Sequence, residues 1–300
     1  MAEAQPAAPV LKLFCVVPAE RVDAAAMALE SALEDESAVV SHYEIEDEGP
    51  WCVEALLIDA ENAEAALASV KARLSDQDLA EGLQADWLGD EDWVAKSLAG
   101  LAPVKAGRFC VYGSHDRDRV APSRWRLEID AGQAFGTGHH ETTVGCLLAL
   151  EALGKAGELP VRAIDLGTGT GVLAAAMVRL GVRHVLASDI DPIAVDVARA
   201  NLQAFGVAGQ VRAVTAAGFE HPALRFAEPG LVVANVLARP LVALAPEMRR
   251  RILPEGIVIL SGLRLTQERL VRGTYLAHGF RMVTSYPLGA WTTLVLQRRS

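Results

Sequence analysis

Ala163-Ile164-Asp165-Leu166-Gly167-Thr168-Gly169-Thr170-Gly171 decides the fold of this chain. An apolar, strand-like stretch with one carboxylate runs into glycines at alternate positions, and apolar helical spacing resumes at Val172. Glycine at 167 and 169 lets backbone approach a ligand where a Cβ would collide. The helix that follows offers free N–H groups at its start. The dinucleotide fingerprint Gly-x-Gly-x-x-Gly would need glycine at 172, where Val172 stands. Asp165, at the loop entrance, disfavours a pyrophosphate and favours a cationic ligand group.

Downstream of this stretch the chain alternates. Strands are predicted over 162–166, 184–189, 210–215, 231–236, 256–261, 280–286 and 291–298. Helices are predicted over 171–180, 192–205, 238–252 and 265–278, with another before the series at about 140–155. Such alternation predicts an α/β fold, an open parallel sheet covered on both faces. Only Pro287-Leu288-Gly289-Ala290 joins the final two strands, too short for a parallel crossover, so the last strand is antiparallel. Seven strands ending in such a hairpin depart from the dehydrogenase arrangement.

Upstream, strands at 10–17, 38–46, 52–58 and about 83–88 and helices at 19–36 and 61–75 give the order β-α-β-β-α-β. That is the order of a small ferredoxin-like α+β domain. Asp90-Glu91-Asp92-Trp93-Val94-Ala95-Lys96-Ser97-Leu98 reads as a capped connecting helix, and pieces at 108–113 and 125–130 read as strands. The expected organisation is a recognition domain at 1–88, a linker helix at 89–107 and a catalytic domain at 108–300.

Charge divides along the same line. Residues 1–100 carry 22 acidic and 5 basic side chains, a net −17; residues 101–300 carry 16 and 23, a net +7. An acidic first third is repelled by nucleic-acid phosphate, which argues against a nucleic-acid groove along the whole chain. No apolar run approaches the ~18–20 residues of a membrane span, and the N-terminus carries no signal-peptide pattern. Cys15, Cys52, Cys110 and Cys146 form no Cys-x-x-Cys pair, which suits buried, reduced thiols in a cytoplasm.

Three further segments carry chemistry. Asp189 in Ser188-Asp189-Ile190-Asp191-Pro192 lies 22 residues beyond Gly167, where a carboxylate can accept hydrogen bonds from ribose hydroxyls. Asp191 reads as the cap of the helix opening at Pro192. Asn235 interrupts the apolar run Val232-Val233-Ala234-Asn235-Val236-Leu237-Ala238 at a strand end. Its amide can hold an amine lone pair or cap the next helix. Ala134-Phe135-Gly136-Thr137-Gly138-His139-His140-Glu141-Thr142-Thr143 reads as a loop closing over a cofactor, with threonine hydroxyls as polar contacts. Adjacent histidines cannot share a helix face, so no metal site is expected there. Asp165, Gly167, Gly169, Asp189 and Asn235 together describe a pocket for a positively charged nucleoside, S-adenosylmethionine.

The loop at 134–143, the glycine stretch at 165–171 and Val233-Ala234-Asn235-Val236-Leu237-Ala238 resemble the bacterial ribosomal-protein methyltransferases of the PrmA type. Members of that family modify the large-subunit stalk-base protein L-eleven. The resemblance covers essentially the whole chain. It implies a seven-stranded Rossmann-like class I methyltransferase sheet beside a small ferredoxin-like domain that grips the substrate. It further implies methyl transfer from S-adenosylmethionine to lysine ε-amino and N-terminal α-amino groups, with Thr142, Thr143, Gly167, Asp189 and Asn235 at the cofactor. On the residue reading itself, Asn235 and the neighbouring backbone carbonyls are the candidates to orient the amine lone pair. The implied setting is a cytoplasmic monomer acting on a ribosomal protein, with no membrane and no direct nucleic acid required. Rival readings keep the chemistry but change the acceptor to another protein lysine or a nucleobase amine. Others make the chain a nicotinamide-dependent oxidoreductase, which Val172 and Asp165 disfavour, or a cofactor-binding regulator.

Overall fold

Along β1 (Val10–Val17), Leu11, Leu13, Cys15 and Val17 are buried whereas Val16 is exposed, the period of two of a strand with one covered face. That pattern recurs through two compact units, residues 1–93 and 94–300. The structure is a computed structural model that describes residues 10–33, 38–45, 49–57, 62–88, 103–129, 141–225 and 227–300. The connector expected at Asp90–Leu98 and the loop at 134–140 lie outside the described residues.

The first unit continues with α1 (Val22–Ala32), β2 (Ala38–Glu44), β3 (Trp51–Leu57), α2 (Ala63–Arg73), α3 (Gln77–Gly82) and β4 (Gln84–Leu88). Its sheet order is β2-β3-β1-β4 with every neighbouring pair antiparallel, the arrangement of the ferredoxin-like plan. The buried face of β1 and β3 packs on Val22, Ala25 and Leu29 of α1 and Val70 of α2, which recur at helical spacing. Helix α3 departs from the sequence reading, in which 61–75 is the last helix of this unit and nothing is assigned between it and the strand at about 83–88. Asp76 makes the difference: its Oδ1 accepts from the Leu79 N–H at 3.0 Å and starts a new helix. That capping N–H, with the Arg21 guanidinium bonded to Asp76 as a second cause, holds the carboxyl below the usual carboxylate range.

The second unit opens with a three-stranded sheet, β5 (Val104–Ala106), β6 (Phe109–Tyr112) and β7 (Arg126–Glu128), so residues assigned to the connector form a strand. The main layer follows: α4 (Glu141–Ala156), β8 (Arg162–Leu166), α5 (Val172–Leu180), β9 (His184–Asp189), α6 (Pro192–Ala204), β10 (Val211–Thr215), α7 (Pro222–Arg225), β11 (Leu231–Asn235), α8 (Ala238–Arg251), β12 (Ile257–Arg264), α9 (Glu268–Ala277), β13 (Phe280–Leu288) and β14 (Trp291–Arg298). Its order is β10-β9-β8-β11-β12-β14-β13. The first five strands are parallel, and β14 is antiparallel to both of its neighbours. The expected final hairpin is therefore present, turning through Gly289 at φ +55°.

Alternate strand residues feed opposite cores. Ala163, Val185, Val233 and Ile259 pack with α4, α5 and α6, while Ile164, Val232, Val258 and Leu294 pack with α8 and α9. Among the described residues no helix is long and apolar enough to cross a membrane. Cys15, Cys52 and Cys146 are buried and Cys110 half-buried, and none is disulfide-bonded.

Helix α4 lies unusually close to the sheet. A Cβ on Gly145 would come within 2.2 Å of Thr293 Oγ1 on β14. An exposed helical Gly→Ala change is worth about 1 kcal/mol of stabilisation, whereas overpacking costs about 1–3 kcal/mol. Gly145→Ala is therefore expected to lower the urea midpoint at unchanged m-value. A raised midpoint would show that α4 is not held by this contact.

Candidate cofactor site at the switch point

Strand order reverses between β8 and β11, which places a crevice beyond their carboxyl ends, where open α/β sheets bind ligands. The glycine loop leaves β8 at this point. Gly167 (φ +70°) and Gly169 (φ +52°) adopt left-handed backbone, and a Cβ on Gly167 would meet Val236 Cγ1 at 2.3 Å. The Gly167 and Thr168 N–H groups both donate to Ser188 O, at 2.8 and 2.9 Å, which ties the loop to β9.

Asp165 sits beneath this loop instead of at its entrance. It is 1% exposed, and its Oδ2 accepts from the Thr168 hydroxyl at 2.8 Å and the Ala174 N–H at 3.1 Å. Its Oδ1 is buried with no partner. Burial pushes the carboxyl up to about 7, against those two hydrogen bonds, and the neighbouring Asp189 adds to the rise. An orphaned carboxylate oxygen in a buried setting fits a cationic or hydrogen-bond-donating ligand group.

Asp189, the last residue of β9, is half-buried. Its Oδ2 accepts from the Gly169 N–H at 2.9 Å and its Oδ1 from the Asp191 N–H at 3.2 Å. Each oxygen keeps a lone pair for a diol. Asp191 caps α6 from its own Oδ1, accepting from Ile193 N–H at 2.8 Å, as read from the sequence. Between the two carboxylates Ile190 is 73% exposed, an apolar surface beside a diol-binding group. The sequence reading passed over it, although an isoleucine between two aspartates at a strand end is itself a signal.

Asn235 ends β11, and its Nδ2 donates to Thr143 Oγ1 in the first turn of α4 at 3.4 Å. Thr142 and Thr143 are both buried. Ser261, missed from sequence, stands opposite Asn235 in the parallel register. Its hydroxyl is 3.0 Å from Thr142 O and 2.7 Å from Thr293 Oγ1, and so fastens the start of α4. It interrupts Ile257-Val258-Ile259-Leu260 just as Asn235 interrupts β11, and that likeness is legible in the sequence. The structure thus brings Thr142, Thr143, Asp165, Gly167, Gly169, Asp189 and Asn235 to one edge of three adjacent strands. Among the described residues no cluster of His, Cys, Asp and Glu is arranged to hold a metal; His139 and His140 lie outside them.

The raised Asp165 carboxyl has a signed consequence. The folded chain holds this proton up to about pH 7, while the unfolded chain loses it near pH 4, so this group lowers stability as pH climbs between those values. Asp165→Asn removes that slope. In urea titrations the ligand-free variant is expected to gain roughly 2 kcal/mol on wild type between pH 5 and pH 8. A constant difference across that range would contradict the assignment.

Comparison with known proteins follows the same line. Residues 12–299 match the family described as ribosomal protein L11 methyltransferase (PrmA). A ribosomal protein L11 methyltransferase of Rhizobium leguminosarum bv. trifolii is 49% identical over 220 residues, covering 72% of this chain and 74% of that protein. One from Mesorhizobium japonicum is 43% identical over 282 residues, covering 94% and 96%. The crystal structure of a ribosomal protein L11 methylase from Lactobacillus delbrueckii subsp. bulgaricus superposes with a TM-score of 0.58 at 25% identity, over 66% of this chain and 99% of that one. With the switch-point loop and the inserted antiparallel strand, these matches show that the chain belongs to the ribosomal protein L11 methyltransferase family.

Proposed function

We propose that this chain transfers methyl groups from S-adenosylmethionine to amino groups of ribosomal protein L11, both lysine ε-amino and N-terminal α-amino. The observation that carries the reading is the pairing of a buried, unpartnered Asp165 Oδ1 with Asp189 on either side of the Gly167–Gly169 backbone. These residues suit a ligand with an ammonium group at one end and a ribose diol at the other. When bound, the cofactor supplies a methyl group on a positively charged sulfur, already activated as an electrophile.

The protein's own work is positional. Gly167 and Gly169 let backbone approach the ligand, Asp189 accepts from the ribose hydroxyls, and Ile190 covers the base. Asp165 Oδ1 receives the ammonium end, whose charge favours the ionised carboxylate. Thr142 and Thr143 present the start of α4 to the same crevice. Asn235 accepts a hydrogen bond from the incoming amine through Oδ1 while Nδ2 stays on Thr143, which fixes the amide's orientation. A lysine near pKa ~10.4 must shed a proton before attack. Asn235 is no base, so that proton leaves to water, and orientation with desolvation is the enzyme's contribution.

The first unit is the substrate grip, a recognition domain over 1–88, and the linker from 89 gives way to the catalytic unit by β5 at Val104. Its net charge of −17 over residues 1–100 complements a lysine-rich ribosomal protein and steers encounter. The working form is a cytoplasmic monomer.

Asn235→Ala is expected to retain S-adenosylmethionine binding within about threefold by calorimetry while methyl transfer to L11 falls about a hundredfold, a loss confined to the transition state. Wild-type turnover in that variant would remove the role. Raising salt from 50 to 300 mM is expected to slow L11 methylation far more than it weakens cofactor binding, given a Debye length of about 10 Å at 0.1 M. Equal effects on the two would exclude steering.

A further inference from the structure

Positive charge in the catalytic unit gathers at the edge opposite the cofactor crevice. Strands β8 to β12 are parallel, so their N-terminal ends share one edge, and α8 returns to it with Arg249-Arg250-Arg251. Strand β14 runs the other way, so Arg298 and Arg299 finish there, with Arg298 opposite Phe280 at the start of β13 and Gln297 opposite Ile257. Arg281 follows on β13.

Arg249 and Arg298 form the focus of this corner. Arg249 lies against the Gly279 turn, where a Cβ would sit 3.1 Å from its Nε. Arg298 is near enough that Arg249's charge adds to burial in depressing its pKa. One Arg298 Nη1 donates to Ile252 O, but its Nε is buried with no acceptor. Neither guanidinium reaches a carboxylate among the described residues, nor does Arg281 or Arg299. The nearby acids are otherwise engaged: Glu247 pairs with Arg250 and Arg251, and the Glu255 carboxylate accepts from the Ser300 hydroxyl. Two cations held together, neither paired with a carboxylate among the described residues, are stabilised by an oxyanion with several acceptor oxygens.

We propose that this corner binds the phosphodiester backbone of RNA, with one phosphate between Arg249 and Arg298 and flanking charge from Arg281 and Arg299. The corner is an open edge and not a cavity, and Arg281 and Arg299 face solvent, which suits a continuous polyanion better than a small enclosed ligand. Phe280, at this corner, is fully buried and offers no face for stacking, so the contact reads backbone and not bases. The choice of RNA over another polyanion rests on the ribosomal reading above: the methyl acceptor is a protein whose assembled form lies on RNA. Contact on this edge leaves the crevice free, so it adds to methylation of free substrate without being required for it.

The test is fluorescence anisotropy of a labelled RNA duplex of about 20 base pairs, with the full chain and with the double variant Arg249→Glu/Arg299→Glu, which spares the Arg298 bond to Ile252. Wild type is expected to bind, weakening more than about tenfold between 50 and 200 mM salt. The variant is expected to bind at least tenfold more weakly while methylating free L11 within twofold of wild type. Arg281→Glu, at an exposed strand position, is a second variant expected to weaken binding severalfold. Equal RNA binding by wild type and both variants overturns the proposal. Displacement of RNA by millimolar inorganic phosphate alone makes this a small-anion site, and displacement by polyglutamate of matched charge makes the partner an acidic protein; either result overturns it too. Failure of wild type to methylate free L11 would instead sink the methyltransferase reading and is scored separately.

Discussion

A single carboxylate oxygen holds the catalytic end of the sheet together. Asp165 Oδ2 collects the Thr168 hydroxyl and the Ala174 N–H, so the same atom bends the loop back on itself and fixes the first turn of α5. The Ser188 carbonyl then anchors the loop to β9, and Asp189 receives Gly169. With Oδ2 committed inward, Oδ1 is left buried and unsatisfied. Such an arrangement costs on the order of 1–3 kcal/mol until a donor arrives. A donor that reaches Oδ1 recovers that cost.

The other half of the crevice depends on close approach rather than charge. Gly145 lets α4 settle onto β14, and the Ser261 hydroxyl joins Thr142 O to Thr293. That fastening sets Thr143 where Asn235 can reach it. Cys146 lies beside Ser261 and Thr293, and its burial there pushes the thiol up to about 12, which leaves it a packing group and not a nucleophile.

Most of the sheet was legible because its strands are buried runs bounded by turn residues: 162–166, 184–189 and 291–298 match residue for residue. The antiparallel ending followed from linker length alone. What escaped had weak periodicity or a role visible only across strands. A three-residue strand at Val104–Ala106 with a lysine at its centre offers no pattern, and α3 depends on one capping aspartate. Asp165 was expected at the loop entrance, facing a ligand, whereas its Oδ2 is turned to Thr168 and Ala174 beneath the loop, because sequence shows that a carboxylate precedes a glycine but not which side of the loop it faces. Ser261 shows in the sequence as a polar break in an apolar run, but its partners Thr142 and Thr293 lie far off in the chain and appear only in the fold.

The position of β14 has a consequence for the order in which the molecule can be completed. Strand β13 touches the sheet only through β14, which follows it in the chain and must slide between it and β12. Thr293, which underpins the start of α4, belongs to that same late strand. During synthesis, then, five strands can assemble while the crevice stays without its final support. The start of α4, with Thr142 and Thr143, therefore gains its support from Thr293 only once the last hairpin is in place.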